Sequence, residues 1–198
     1  MKEKLEMIKS GLIVVDMVNG FINEGKMADP YIRNIIDENV NLIDNFLNKN
    51  YPVIAFRDCH EKGAVEFKSF PEHCLKGTSE SELVNEIKVY EDRMKVFFKN
   101  STNGIYADGF IDYINSLKEV KEFVVTGCCT DICVMQLAIA LKTYFNAINK
   151  DINIVIPMNA VETYSIPPKH RREEYNNMAF DLTSQAGIQV VNEYRKVK

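Results

Sequence analysis

The sequence lacks an even cysteine count, a hydrophobic run of membrane-spanning length, an excess of basic charge and any internal repeat. Each absence removes a class. Five cysteines cannot all pair, and 198 residues at 46% hydrophobic content can bury a core without staples, which argues against a disulfide framework. The opening MKEKLEMIKSGLIVVDMV is charged, its apolar run meets Asp16 after a few residues, and no small-residue cleavage site follows, so it does not read as a signal peptide. No run approaches the length a bilayer requires, and the expectation is a cytoplasmic protein with reduced thiols. A net charge of -4 without a stripe of interleaved basic and aromatic residues leaves no footprint for nucleic acid. A small-molecule partner remains.

Short apolar runs rich in branched residues alternate with longer segments of helical period, the signature of β-α-β units and a parallel sheet. The expected strands are GLIVVDM (11–17), PVIAF (52–56), KVFF (95–98), EFVVTG (122–127), INIVIP (152–157) and IQVV (188–191). Between them YIRNIIDENVNLIDNFLNKN, ESELVNEIK, FIDYINSL, DICVMQLAIALKTYFN and HRREEYNNMAFDLTSQ carry apolar residues at helical spacing, and Gly187 stands where the last helix should stop. With no linker-like shift in composition, residues 1–198 read as one α/β domain, a three-layer doubly wound sheet of about six mostly parallel strands.

Open sheets of this kind bind ligands beyond the carboxyl ends of their strands. Asp16 follows the first strand, Asp58 and His60 the second, Lys99 the third, and a turn ending in Cys133 the fourth. Four separated segments thus converge on one crevice. The stretch TGCCTDIC runs from a strand into a helix and puts the Cys133 thiol in that helix's first turn, with Thr130 or Asp131 available as cap. The positive end of the helix is expected to lower the thiol's pKa, and backbone N–H groups there can receive an oxyanion. Cys128 closes the strand and reads as a small buried hydrophobe. The thiols match no pair of CxxC arms, which argues against a zinc site made of them.

Two of the chain's three histidines, His60 and His73, fall in the loop RDCHEKGAVEFKSFPEHCLKGT beside Asp58 and Glu66. An Asp and a His two apart in extended backbone project to one side, so Asp58 and His60 can share a metal to which His73 returns. Two imidazoles with carboxylates suit one divalent ion, zinc first, with iron or manganese as alternatives. The third histidine, His170, is expected in the basic start of the last helix, apart from any metal.

Taken together, GLIVVDMVNGF, FPEHCLKGT, VVTGCCTDICV and IPMNAVETY resemble the isochorismatase-like cysteine hydrolases, and within them the nicotinamidases. The resemblance implies Asp16, Lys99 and Cys133 as catalytic residues, and the backbone N–H groups of Cys129 and Cys133 as oxyanion donors. It implies Asp58, His60 and His73 as metal ligands with Glu66 at a metal-proximal position, and Phe21 and Phe70 on either side of the substrate ring. It further implies a cis peptide bond between Cys128 and Cys129. The sequence departs from the family after the lysine, where NSTNGI replaces the usual aromatic and small residues ending in Phe. Lys95, the rival lysine, opens its strand and would leave the sheet at the wrong end.

The implied activity is hydrolysis of nicotinamide to nicotinate and ammonia through a thioester on Cys133, feeding NAD salvage, in a homo-oligomer. Hydrolysis of another small amide or N-carbamoyl compound is the alternative. A non-catalytic module that keeps the thiol turn, and an enol-ether-cleaving isochorismatase, rank behind both.

Overall fold

Leu12 and Val14 pack on one side of the first strand and Ile13 and Val15 on the other, each 1% exposed or less. A strand buried on both faces reads as a continuous apolar run, and it belongs at the centre of a parallel sheet. In this computed structural model, which describes residues 9–195, that strand is β1 (Lys9–Val15). The others are β2 (Val53–Asp58), β3 (Lys95–Lys99), β4 (Val120–Cys128), β5 (Asn153–Pro157), β6 (Val161–Glu162) and β7 (Gln189–Val191). The helices are α1 (Asn19–Ile22), α2 (Ile36–Asn48), α3 (Asn85–Lys88), α4 (Phe110–Ser116), α5 (Met135–Ala147) and α6 (Arg172–Gln185).

The sheet order is β3-β2-β1-β4-β5-β7, with β6 paired to β4 beyond the end of β5, and every pairing is parallel. Leu42, Ile43 and Phe46 of α2 cover one face. Phe110 and Ile114 of α4 and Leu137, Leu141 and Phe145 of α5 cover the other, with Phe180 of α6 beside them. The result is the expected three-layer sheet, with β6 as a seventh strand too short to show a periodicity. The chain steps outward from β1 to β2 and β3, then returns to β1's other side as β4. The switch point, where a crevice opens, therefore lies between the carboxyl ends of β1 and β4.

Two expected helices differ. In ESELVNEIK only one turn, α3, is α-helical; Leu83 is extended and bridges Val18, and Val84 N–H donates to Met17 O. Leu83 and Val84 are fully buried, so their apolar character reflects an extended segment packed beside the chain that follows β1 rather than a helix face. The last helix begins at Arg172, leaving His170 before it in a bridge with Ile166. Among the described residues no helix is long and apolar enough to cross a membrane. The signal-peptide reading rests partly on residues 1–8, which lie outside the described residues.

Candidate active site and metal centre

The crevice at the switch point is narrow because two strand ends touch there. Gly127 faces Val15 across the β1–β4 register with φ 103°, and a Cβ on it would collide with the Val15 carbonyl. Only glycine permits both the angle and the approach. Asp16 leaves β1 with φ 50°, in the left-handed region that Asp tolerates better than most residues. Its carbonyl accepts the Val18 N–H at 2.7 Å and the Cys128 thiol at 3.1 Å, which ties the two strand ends together.

Lys99, the last residue of β3, reaches the centre of this arrangement and is 2% exposed. Its Nζ lies 2.9 Å from Asp16 Oδ2, 2.7 Å from Asp58 Oδ1 and 3.8 Å from Cys133 Sγ, and it donates to Ser101 O at 3.1 Å. The contact with Asp58 is an aligned hydrogen bond, whereas neither carboxylate oxygen of Asp16 has a hydrogen-bonded partner. Burial is the largest influence on Asp16 and pushes its pKa up to about 7, against the opposing charge of Lys99. Burial also acts on Asp58, but the charge of Lys99 and hydrogen bonds from His60 and His73 outweigh it and hold Asp58 below the usual carboxylate range. Lys95 is exposed, its ammonium over the rings of Phe97 and Tyr113.

Cys133 lies in a π-helical turn, Thr130–Val134, that leads into α5. Burial pushes its thiol well above the ordinary cysteine value, against the charge of Lys99. This corrects the expectation of a thiol acidified by a helix end: Cys133 is buried, and desolvation of a thiolate outweighs the nearby positive charge. Such a thiol would need a neighbouring base to ionise it. Neither expected cap is used, since Cys129 occupies the cap position without a side-chain bond, Asp131 faces His170, and the buried Thr130 hydroxyl has no hydrogen-bonded partner. The Cys128–Cys129 peptide bond is cis.

Asp58, His60 and His73 form a buried group with ligand atoms within 4.8 Å of one another. Asp58 Oδ2 faces His60 Nε2 at 2.9 Å and His73 Nε2 at 3.0 Å. The far ring nitrogens are held by acceptors, His60 Nδ1 by Asn100 Oδ1 at 3.1 Å and His73 Nδ1 by Pro71 O at 2.7 Å. With the Nδ1 protons held by those acceptors, the Nε2 lone pairs would be free to bind a cation lying between them and Asp58 Oδ2, in place of the hydrogen bonds they otherwise donate to it; the donor set fits a metal. Glu66 stands at the edge of this group: its Oε1 is 3.9 Å from His60 Nε2, and its Oε2 accepts the Thr102 N–H at 3.0 Å. The NSTNGI loop is therefore tied to the segment that carries His60 and Glu66 through Asn100 and Thr102. Asn100 escaped the sequence reading, although its position directly after Lys99 was a signal. Phe21 and Phe70 line one cavity with Cys133, and their rings lie 5.5 and 6.4 Å from that of His73. Met27, Thr102, Ile132 and Tyr164, none of them anticipated, also line it.

A family model of the isochorismatase domain matches residues 10–192. The chain belongs to the isochorismatase family. Within it, Nicotinamidase 1 of Arabidopsis thaliana is 31% identical, the match covering 92% of this chain and 85% of that protein. The crystal structure of nicotinamidase PncA from Bacillus subtilis matches with a TM-score of 0.75 at 28% identity, over 93% of this chain and 99% of the other. N-carbamoylsarcosine amidase from Thermoplasma acidophilum matches with a TM-score of 0.75 at 26% identity, over 96% and 100%. The chain is an amidohydrolase of the isochorismatase family, on the nicotinamidase side of it.

Proposed function

We propose that this single-domain chain is a metal-dependent nicotinamidase with Cys133 as nucleophile and Asp16 as the acid and base. The observation that carries the reading is one lysine, Lys99, joining Asp16, Cys133 and the Asp58–His60–His73 group in a cavity walled by Phe21 and Phe70. Asp16, with a pKa near neutrality and unoccupied lone pairs, accepts the Cys133 proton as the sulfur attacks the carboxamide carbon. The oxyanion that forms is received by the backbone N–H groups of Cys129 and Cys133. Asp16 returns the proton to the nitrogen, ammonia leaves, and a thioester remains on Cys133. Asp16 then deprotonates a water that attacks the thioester carbon and passes that proton to the departing sulfur; the second water proton stays on the product, which leaves as nicotinic acid and ionises to nicotinate in solution. The charge of Lys99 opposes burial and favours the ionised form of Asp16 between these transfers.

Asp58, His60 and His73 would hold a divalent ion, zinc first, with Glu66 beside it. When bound, the ion supplies a Lewis-acid position for the pyridine nitrogen. Ring stacking between Phe21 and Phe70 adds orientation. The alternative, hydrolysis of another small amide, draws on the likeness to N-carbamoylsarcosine amidase. Ammonia release from nicotinamide and from benzamide, measured with metal content, separates the two. The proposal expects about one divalent ion per chain, turnover of nicotinamide and poor turnover of benzamide, which has the same shape without the ring nitrogen. Equal turnover of both amides, or full activity without metal, contradicts it.

A further inference from the structure

Asp131 stands between the oxyanion peptide and the nucleophile, and both of its oxygens are engaged. Oδ1 accepts the Thr163 hydroxyl at 2.5 Å, and Oδ2 faces His170 Nε2 at 2.9 Å. The other ring nitrogen of His170, Nδ1, lies 3.0 Å from the Tyr164 carbonyl oxygen. The imidazole is stacked between two tyrosines, with Tyr164 at 3.9 Å and 8° and Tyr175 at 3.7 Å and 28° between ring centroids and planes. Asp131 and His170 are both buried. Tyr164 in turn lines the cavity that holds Cys133 and Phe70.

The same segment is held from its other side. Arg172 donates through Nε to Thr163 O at 2.9 Å and through Nη2 to Asp29 Oδ2 at 2.5 Å, and the Ser165 N–H donates to that same oxygen at 3.0 Å. The Thr163–His170 segment is therefore clamped outside by an ion pair and inside by the nucleophile turn. One imidazole grips the turn through one edge and the Tyr164 wall through its other edge and its face.

We propose that Asp131 and His170 are positioning residues that set the Cys133 turn against the Tyr164 wall, and that Tyr164 is a specificity-determining residue of the acyl pocket. The π-helical turn gives the mechanical reason: it is wider than an α-turn, and such turns occur where a side chain must be aimed. A nucleophile on such a turn depends on ties to the rest of the fold, and the principal side-chain tie runs through Asp131. The proposal rests on the reading of Cys133 as nucleophile.

The test uses the full chain loaded with zinc, as wild type, Asp131→Asn, His170→Leu, His170→Gln, the Asp131→Asn/His170→Leu double variant and Tyr164→Leu. Two quantities are read: the rate of Cys133 alkylation by iodoacetamide, followed by peptide mapping, and kcat and KM for nicotinamide per metal-loaded, folded site. Displacing the sulfur from its base by a fraction of an ångström should slow alkylation and kcat about tenfold or more in Asp131→Asn and His170→Leu. The double variant should be no slower than the slower single one, since both remove one tie. His170→Gln, which keeps a donor toward Asp131, should recover part of the loss and serves as the reporter if His170→Leu does not fold. Tyr164→Leu should raise KM about tenfold with little change in alkylation, and should relax the exclusion of larger amides. Zinc content should not change in any of them. Variants that melt at lower temperature yet alkylate and turn over at the wild-type rate would reduce the pair to a structural support and overturn the proposal. If the wild type releases no ammonia from nicotinamide, the nicotinamidase reading fails, and the alkylation rates still decide this one.

Discussion

Asp16 at the end of β1 and Asp58 at the end of β2 are both 1% exposed or less, and both lie within 2.9 Å of the Lys99 ammonium. Their surroundings nonetheless drive them apart. Asp58 accepts an aligned bond from Lys99 and faces two imidazole nitrogens, and these outweigh burial and keep it ionised. Asp16 has the same cation beside it but no imidazole, and burial pushes it up to about 7. The charge of Lys99 reaches both carboxylates, and the two imidazoles that face Asp58 but not Asp16 separate a carboxylate held low from one pushed up toward neutrality.

Several substitutions break or sharpen that contrast. The largest loss is expected from Cys133→Ala, which should leave no measurable ammonia release while the melting temperature stays close to wild type, because a methyl fits the turn. Next, Asp16→Asn should lower kcat by about 10²–10⁴-fold with metal content unchanged, since an amide can neither take nor return the proton. Asp58→Asn should show the opposite pattern, with metal lost on dialysis and a raised KM, as should His60→Ala and His73→Ala; metal analysis beside steady-state kinetics distinguishes the two carboxylates. Lys99→Ala leaves two buried carboxylates without their shared cation and should cost about 3–5 kcal/mol in denaturant unfolding along with activity. Lys95→Ala, by contrast, should stay within about 0.5 kcal/mol of wild type with near-normal kcat. The smallest effect is expected for Cys128→Ala, which removes one hydrogen bond to the Asp16 carbonyl and should retain most of the activity.

The central strands β1, β2, β4 and β5 are legible in the sequence because burial on both faces writes them as near-continuous apolar runs, while the edge strands β3 and β7 show only as short branched or aromatic runs; the switch point follows from their order. The residues at the strand ends are legible for the same reason: Asp16, Asp58, Lys99 and the Cys133 turn are adjacent to runs that can be seen. What escaped depends on distance in the chain. Asp131 and His170 are 39 residues apart, and nothing local distinguishes Asp131 from a helix cap or His170 from a basic helix start. The direction of the Cys133 shift escaped because helix ends can be read locally while desolvation depends on everything packed above the thiol. Leu83 and Val84 mimic a helix face because both are buried from an extended backbone.

The most direct measurement is the chemical state of Cys133 during turnover. Metal-loaded protein mixed with nicotinamide is quenched in acid within one turnover, digested, and mapped by mass spectrometry. The account predicts one nicotinoyl group on the peptide that carries Cys133, absent from Cys133→Ala and bound through that sulfur rather than through Cys128 or Cys129. Ammonia release from nicotinamide that persists in Cys133→Ala, with no acyl group trapped on the wild-type thiol, would contradict it.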